Sequence, residues 1–320
     1  MSKGPSIILS ICIALGACGQ RVAQAQGAGA VSVPVLVESK SGEIAYGLSA
    51  SDFLIKDNGI GQRVEMQNSA PARPLSLIIV IQTGHGAASQ LEKIAHLGAL
   101  LDSVLTNPQD RAAVITFDSR PQLFQDFAED SDEMSNSLAS IAAGNSGAAL
   151  FDAMHMAISS LRKAPSDNRK VVVLISGEHD HGSYASDNAS LIRDVSASDA
   201  SVYCLSFRPA RKEIVEKLRS LSPFTVSANA MQRNPSEALA QLTGGEFYRF
   251  DSDKGFEDRI LEIANHINNR YILTFHPNNP EPGFHSLEVE VEYSKIAILS
   301  ARTGYWLTAS AATDSGGVRQ

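Results

Sequence analysis

Residues 75–86 read LSLIIVIQTGHG, an apolar run that ends abruptly in a small, polar, glycine-spaced loop. A strand that is apolar on both faces is typical of a parallel sheet covered on both sides. Apolar residues then recur at three- and four-residue spacing between residues 91 and 105, which predicts a helix with one buried face. The stretch therefore predicts a buried parallel strand that leads into a ligand-facing turn of an α/β domain.

Strand and helix patterns alternate from residue 73 to residue 272. Strands are predicted at 75–82, 111–118, 122–128, 170–176, 201–208 and 246–251. Helices are predicted at about 87–106, 131–142, 149–163, 186–198, 211–220, 236–243 and 256–269. This alternation predicts an α/β fold with a doubly wound, mostly parallel sheet, in which ligands meet the loops at the carboxyl ends of the strands.

Strand patterns also occupy the two flanks, residues 26–72 and 273–308. Residues 31–37 alternate and include Pro34, which predicts an edge strand. The N-terminal segment is too short to fold alone, so the two flanks are predicted to pair into one small β-sandwich-like subdomain. Residues 309–320, rich in alanine, serine and glycine, are predicted to be a disordered tail.

Residues 1–25 have the pattern of an export signal. Lys3 precedes the apolar stretch 7–17, and Ala23-Gln24-Ala25 offers a small-x-small cleavage site. An alternative is a bacterial lipobox at residues 15–18, with Cys18 as the lipidated residue. The chain is thus predicted to be exported, either free in the periplasm or extracellular space or lipid-anchored through Cys18. No second apolar stretch reaches membrane-spanning length.

Charge, cysteine usage and motif content exclude several functional classes. The chain has 27 basic and 35 acidic residues, a net charge of -8, and no basic block, which argues against nucleic acid as a partner. After cleavage, only Cys204 remains, so no intrachain disulfide can form. The sequence contains no phosphate-binding P-loop, HExxH or CxxC motif. We therefore predict a protein that is not an enzyme and has no cofactor.

An ordered set of segments resembles the von Willebrand factor A (VWA) family over roughly 200 residues. The segments are the strand ending at Gln82, the strand at 112–118, the loop at 144–153, the strand at 171–175 and residues 243–248. The flanking Asp52-Phe53, Asp57-Asn58-Gly59 and Gln62 are similar to the lead-in of exported VWFA-related proteins of acidobacteria. The resemblance implies a VWA-like α/β domain with a functional top face at the strand ends.

The resemblance also implies where a metal would bind. In metal-binding members, an Asp-x-Ser-x-Ser turn, a threonine and an aspartate surround a divalent cation at the metal-ion-dependent adhesion site. In this chain the corresponding positions are Gln82, Gly84, Gly86, Ala148 and Gly177, or Ser176 if the last loop is shifted by one. Magnesium requires hard oxygen ligands, and no carboxylate is present at these positions. The metal site is therefore predicted to be degenerate and to bind no Mg²⁺.

Histidines are predicted at the same edge of the sheet. His85 lies in the first loop, and His179-Asp180-His181 follows the strand ending at Ile175. If these side chains converge, imidazoles with a carboxylate suit zinc, copper or nickel. The alternative is an exposed polar loop in which Asp180 accepts backbone N–H bonds.

These patterns predict an exported, non-enzymatic module that binds a protein through its top-face loops, without Mg²⁺. We define the top-face loops as Gln82–Gly86, Gly144–Ala149 and Gly177–Ser183. One alternative is a transition-metal-binding protein or hydrolase that uses the His85/His179/Asp180/His181 cluster. Another is a scaffold whose interactions map to the β-sandwich. The sequence does not identify the protein partner.

Overall fold

The structure is a computed structural model that describes residues 29–67, 73–207, 222–292 and 296–308. The predicted export signal, the helix predicted at 211–220 and the predicted tail lie outside these ranges. The strands are β1 (Val31–Ser39), β2 (Phe53–Asp57), β3 (Ile60–Gln62), β4 (Glu65–Gln67), β5 (Leu75–Gln82), β6 (Arg111–Phe117), β7 (Pro121–Ala128), β8 (Arg169–Ser176), β9 (Ala200–Ser206), β10 (Phe247–Arg249), β11 (Tyr271–Phe275), β12 (Gly283–Val291), β13 (Ile296–Ala301) and β14 (Gly304–Leu307). The α-helices are α1 (Leu91–Ala95), α2 (Ser131–Ala139), α3 (Leu150–Leu161), α4 (Asn188–Ser196), α5 (Pro223–Arg233), α6 (Pro235–Thr243) and α7 (Asp253–Asn268).

The central sheet has six strands in the order β10-β9-β8-β5-β6-β7. All neighbouring pairs are parallel except β6 and β7, which are antiparallel. Every residue of β5 is buried, as expected for a strand covered on both faces. The fold class predicted from the alternation of strands and helices is confirmed.

Helices cover both faces of this sheet. On one face, the apolar side chains of α3, α4, α5 and α6 pack against strand residues such as Ile78 and Val80. On the other face, α1, α2 and α7 pack against Leu77 and Ile79. Because side chains alternate along a strand, β5 contributes to both cores. The two cores hold the carboxyl ends of β5, β6 and β8 at one edge.

The two flanks form a pair of four-stranded antiparallel sheets. Their strand orders are β13-β1-β11-β4 and β14-β12-β2-β3. One core joins the two sheets and contains Val33 and Val35 of β1, Ile55 of β2, Leu287 of β12 and Tyr305 of β14. The predicted pairing of N- and C-terminal strands is therefore present as a β-sandwich beside the α/β domain.

The prediction that residues 31–37 form an edge strand is wrong. β1 lies inside its sheet, between β11 and β13. β11 pairs with residues 31–35 and β13 pairs with residues 35–39. Pro34, which lacks an N–H donor, therefore has a strand on one side only, and its ring is tolerated within an interior strand.

Two helical segments differ from the sequence pattern. The single helix predicted at 87–106 is divided into 3₁₀ turns at Ala88–Gln90 and His96–Ser103 around the short α1. Gly98 lies in this segment, and glycine costs about 1 kcal/mol in a helix interior. A Cβ at Gly98 would approach Ser135 of α2 within 2.5 to 2.7 Å, so the glycine permits close packing. α5 was not predicted by the periodicity.

Within the part of the chain that the structure describes, no helix has the length and apolar character needed to cross a membrane.

Candidate functional site

The side chain of Gln82 connects two of the top-face loops. Gln82 is only 1% exposed at the end of β5. Its Oε1 accepts a hydrogen bond from the N–H of Gly177 at 2.9 Å, in the loop after β8. Its Nε2 donates to the carbonyl oxygens of Gly84 at 3.1 Å and His85 at 3.2 Å. The amide therefore fixes the turn after β5 and ties it to the neighbouring loop.

Gly84 allows the first loop to pack against the loop that precedes α3. A Cβ at this position would lie 2.0 Å from the carbonyl oxygen of Gly147 and 2.5 Å from that of Asn145. The N–H of His85 donates to the same Asn145 carbonyl at 3.3 Å. His85 and Gly86 have positive φ angles of 34° and 82°. Position 84 therefore requires glycine, because the two carbonyl oxygens that a Cβ would meet belong to the backbone and cannot move aside as a side chain could.

Asp118 organises the second loop from the end of β6. Its Oδ2 accepts the N–H of Asn145 at 3.0 Å, and its Oδ1 accepts the N–H of Arg120 at 3.1 Å. Partial burial raises the pKa of Asp118, but hydrogen bonds from Asn145, Arg120 and Ser119 outweigh that effect and lower the pKa below its usual value. Asp118 thus stabilises the turn that follows β6.

Asp180 caps α3 rather than facing the histidines. Its Oδ1 accepts the N–H of Phe151 at 3.1 Å and the hydroxyl of Ser183 at 2.5 Å. The backbones of Ala148 and His181 exchange two hydrogen bonds, of 2.8 and 2.7 Å. This bridge places the third loop over the first turn of α3, where a carboxylate is favoured by the helix dipole.

Asp152, in the first turn of α3, orders the segment that follows the third loop. Its position in the first turn of α3 predicts only a favourable interaction with the helix dipole. Asp152 is buried, and its carboxylate accepts backbone N–H bonds from Tyr184, Ala185 and Ser186 at 2.8 to 3.4 Å. The sequence shows an acid in the first turn of a predicted helix. It does not show which loop that acid contacts.

Three histidine rings lie together at the top face. The ring centroids of His85 and His181 are 4.5 Å apart, and those of His179 and His181 are 6.4 Å apart. All three side chains are exposed. A transition-metal site of this kind is formed by three or more His, Cys, Asp or Glu side chains whose ligand atoms lie close together. Among the residues described, one such group has all its ligand atoms within 4.8 Å of one another, and it consists of Glu38, Glu246 and His266. The top-face histidines do not meet that condition as they stand.

The predicted site residues divide into a buried and an exposed group. Gln82, Gly84, Ala148 and Gly177 are buried and hold the loops together. The exposed group consists of His85, Gly86, His179 and His181, with Asp180 partly exposed beneath them. Tyr184, which was not predicted, is 76% exposed next to the third loop. Of the predicted site residues, only the exposed group can therefore contact another molecule.

The residues at the predicted metal positions do not fit a magnesium ion. The amide oxygen of Gln82 already accepts the N–H of Gly177. Gly84, Gly86 and Ala148 have no side-chain oxygen, and no position offers a carboxylate. A hard divalent cation requires oxygen ligands to offset its dehydration. These positions form a hydrogen-bonded cluster that lacks the necessary ligands.

A second polar cluster lies where the sandwich meets the α/β domain. His266 of α7 hydrogen-bonds through Nδ1 to Glu246 at 2.9 Å, and its Nε2 lies 3.6 Å from Glu38 of β1. Arg270 and Tyr248 are the other members of the network. Burial lowers the pKa of His266, but the hydrogen bond and charge of Glu246 outweigh it and raise the pKa above its usual value. The two carboxylates contact opposite nitrogens of the imidazole, which is the geometry of a bridging imidazolium.

Comparison with known proteins adds a family assignment. Residues 79–179 match the von Willebrand factor type A domain. No curated protein sequence matches the chain.

Solved structures show similar arrangements at low sequence identity. The conserved hypothetical protein BatB from Bacteroides thetaiotaomicron is 13% identical, with 60% of this chain and 98% of that chain covered and a TM-score of 0.45. The vWF domain of the type V pili tip protein Mfa5 from Porphyromonas gingivalis is 10% identical, with 61% and 95% covered and a TM-score of 0.43. The PilB minor pilin from Streptococcus sanguinis is 9% identical, with 64% and 63% covered and a TM-score of 0.42. The family match, together with the observed α/β fold, leads to the conclusion that residues 79–179 belong to a von Willebrand factor type A domain.

Proposed function

We propose that this chain is an exported, non-enzymatic binding module that contacts a protein partner through its top-face loops without Mg²⁺. The observation that carries the proposal is the side-chain amide of Gln82. It makes three hydrogen bonds to the backbones of two loops, at Gly84, His85 and Gly177. A neutral, buried crosslink thus stands at the first position of the metal motif.

The loops are ordered by the protein itself. Asp118, Asp152 and Asp180 each accept backbone N–H bonds at this edge of the sheet. Ordering entropy is a main cost of binding through loops, and a surface that is already fixed avoids much of it. A preformed surface therefore supports recognition of a partner without a metal ion.

The exposed side chains have the chemistry of a protein-contact surface. His85 and His181 present rings in contact, and Tyr184 adds an aromatic ring with a hydroxyl group. Tyrosine and histidine combine an apolar body with a polar tip, and tyrosine is enriched at protein interfaces. A metal-dependent domain would capture an acidic side chain through its ion, whereas this surface would use direct hydrogen bonds and ring packing.

A histidine-based transition-metal site is the second candidate function, and the proximity of the three rings is the observation in its favour. Asp180 weakens it, because its carboxylate binds the N–H of Phe151 and the hydroxyl of Ser183. Zinc titration of the wild type and of His179→Ala and His181→Ala variants separates the two functions. Zinc binding that both substitutions abolish would favour the metal site over the binding module.

Affinity capture tests the proposed contact surface. The bait is the wild-type protein, immobilised and exposed to a cell-envelope extract in the presence of a chelator. We expect a partner that is retained by the wild type and lost with a His85→Ala/His181→Ala/Tyr184→Ala variant. A His276→Ala variant is the control, since His276 is an exposed histidine of the β-sandwich side. Equal capture by the loop variant would place the interaction elsewhere, as in the scaffold alternative.

The localisation is part of the proposal. Residues 1–25 carry the predicted export signal, with Cys18 as an alternative lipidation site. Mass spectrometry of the mature N-terminus distinguishes cleavage after Ala25 from a lipid anchor on Cys18. An intact N-terminus in protein recovered from its native cells would contradict export by either route.

A further inference from the structure

A cavity of about 70 Å³ lies at the seam between the α/β domain and the sandwich, at the amino ends of the parallel strands. It is lined by Arg169 and Lys170 of β8, Ser201 and Tyr203 of β9, and Arg270, which precedes β11. One water molecule requires about 10–15 Å³ on this measure of volume, so the cavity has room for several waters or one small ion. It lies at the opposite edge of the sheet from the top-face loops.

The cavity has an excess of positive charge in an acidic protein. Arg73, Arg169, Lys170 and Arg270 line it, with Asp199 as the one acidic lining residue. Asp199 is partly offset by Arg302, whose Nη1 lies 3.8 Å from it. Within the described ranges, Arg73, Arg169 and Lys170 form no ion pair with a carboxylate. Buried or half-buried cations that lack a carboxylate partner are costly, so this arrangement favours an anion.

Arg270 provides an independent indication of a ligand. Its side chain is only 3% exposed, and its Nη1 donates to the carbonyl of Gly244. Its Nε and Nη2 have no hydrogen-bond partner among the residues that the structure describes. The nearest carboxylate is that of Glu246, 3.5 Å from Nη2. Nη2 is thus already paired in charge with Glu246, and Nε is the donor that remains for an oxyanion.

Tyr203 and Arg169 complete the polar lining. Tyr203 is buried with its ring 5.2 Å from the guanidinium carbon of Arg270. Burial raises the pKa of Tyr203 to about 12, so its hydroxyl remains a neutral donor. Arg169 uses its N–H groups on the carbonyls of Arg73 and Ile267 and on Asn268, and it contributes its charge rather than free donors.

We propose that this cavity binds an oxyanion of the phosphate class, held by the Nε–H of Arg270 and by the charge of Lys170 and Arg169. The volume suits one phosphate-sized group. Such a ligand would bridge β8 and β9 of the α/β domain to Arg270 at the start of β11 of the sandwich. The anion would therefore stabilise the contact between the two domains.

Thermal unfolding of the full chain in increasing inorganic phosphate tests the proposal, with sodium chloride at matched ionic strength as the reference. A ligand that binds only the folded state raises the melting temperature in a saturable manner. We expect a saturable shift in the wild type. We expect Lys170→Gln and Arg270→Gln to weaken the apparent affinity by about tenfold or more, as loss of a charge-assisted contact implies. Lys163→Gln, which removes an exposed lysine outside the cavity, should leave the affinity unchanged.

A parallel titration with glycerol phosphate distinguishes the free ion from a phosphate ester. A Lys170-dependent shift with either ligand supports the site and shows which source it accepts. If Arg270→Gln does not fold, Lys170→Gln and Lys163→Gln still give the comparison. Shifts that do not saturate, or that are equal in the wild type and Lys170→Gln, would overturn the proposal.

Discussion

The side-chain oxygen of Gln82 accepts the backbone N–H of Gly177 at 2.9 Å, and this one contact joins the loops that follow two adjacent parallel strands. The amide also fixes the carbonyls of Gly84 and His85. The junction between these two loops is therefore maintained by neutral hydrogen bonds of Gln82.

Replacing Gln82 by alanine should destabilise the protein. The substitution leaves the buried N–H of Gly177 without its acceptor, and an unsatisfied buried group costs about 1–3 kcal/mol. Urea denaturation should show a loss of that size in the free energy of unfolding. Gln122→Ala, at an exposed position of β7, should change it by less than about 0.5 kcal/mol. Equal effects of the two substitutions would show that the Gln82 crosslink does not stabilise the top face.

Gly84→Ala adds only one methyl group but should destabilise the folded protein clearly. The added Cβ would meet the backbone oxygens of Gly147 and Asn145 at 2.0 and 2.5 Å. The loop must move, and such overpacking costs about 1–3 kcal/mol or more. Gly61→Ala is the matched control, because no atom lies within 4 Å of its added Cβ. A thermal shift assay should separate the two variants, and a Gly84→Ala protein as stable as Gly61→Ala would contradict the packing described.

Asp180→Ala should loosen the third loop and the start of α3. The carboxylate accepts the N–H of Phe151 and the hydroxyl of Ser183, and loss of a helix cap costs about 1 kcal/mol. Hydrogen exchange should become faster at the first turn of α3. Asp258→Ala removes an exposed acid from α7 and should leave that exchange unchanged. Unaltered exchange in Asp180→Ala would exclude the capping role.

The His266 cluster should make stability fall as pH rises. The pKa of His266 is raised in the folded state, so the folded protein binds its proton more tightly than the unfolded chain. The stabilisation is then fully present below about pH 6.5, the ordinary histidine value, and is lost as pH rises through the folded pKa. Burial also raises the pKa of Glu38, which gives a contribution of the same sign. The other groups around the cluster are the charged Glu246, Glu262 and Arg270 and the neutral phenol of Tyr248.

Urea midpoints measured from about pH 5 to pH 9 test this dependence. Each unit of pKa shift corresponds to about 1.4 kcal/mol. His266→Gln should reduce the slope between pH 6 and pH 9, whereas His276→Gln, at an exposed position, should retain it. If stability depends on pH with the same slope in both variants, His266, which lies between Glu38 and Glu246, is not the titrating group.

The strongest sequence signals were those of the buried sheet. β5 was predicted at 75–82 and spans Leu75–Gln82, because a strand that is apolar on both faces has few other structures available. α5 was missed because only Met231 of this helix is buried, which leaves little periodicity to detect. Pro34 led to the wrong prediction that β1 is an edge strand. The sequence does not show that β11 pairs with the first half of β1 and β13 with the second half.

The sequence predicted where the site lies better than it predicted which contacts the side chains of the site make. β5 and β8 are adjacent parallel strands, and the rings of His85 and His181 lie together above them. The orientation of Asp180 toward α3 depends on the bridge between Ala148 and His181, which no local pattern reports. Glu38 and His266 are in contact but lie far apart in the sequence. No regular spacing of residues predicts a buried polar pair of that kind.

The most direct test of the central claim is the thermal unfolding of the wild-type protein in millimolar Mg²⁺, with and without a chelator. The account predicts the same melting temperature in both conditions, because Gln82, Gly84 and Gly86 offer no carboxylate and the Gln82 amide is already bonded to both loops. A clear stabilisation by Mg²⁺ that the chelator reverses would contradict it.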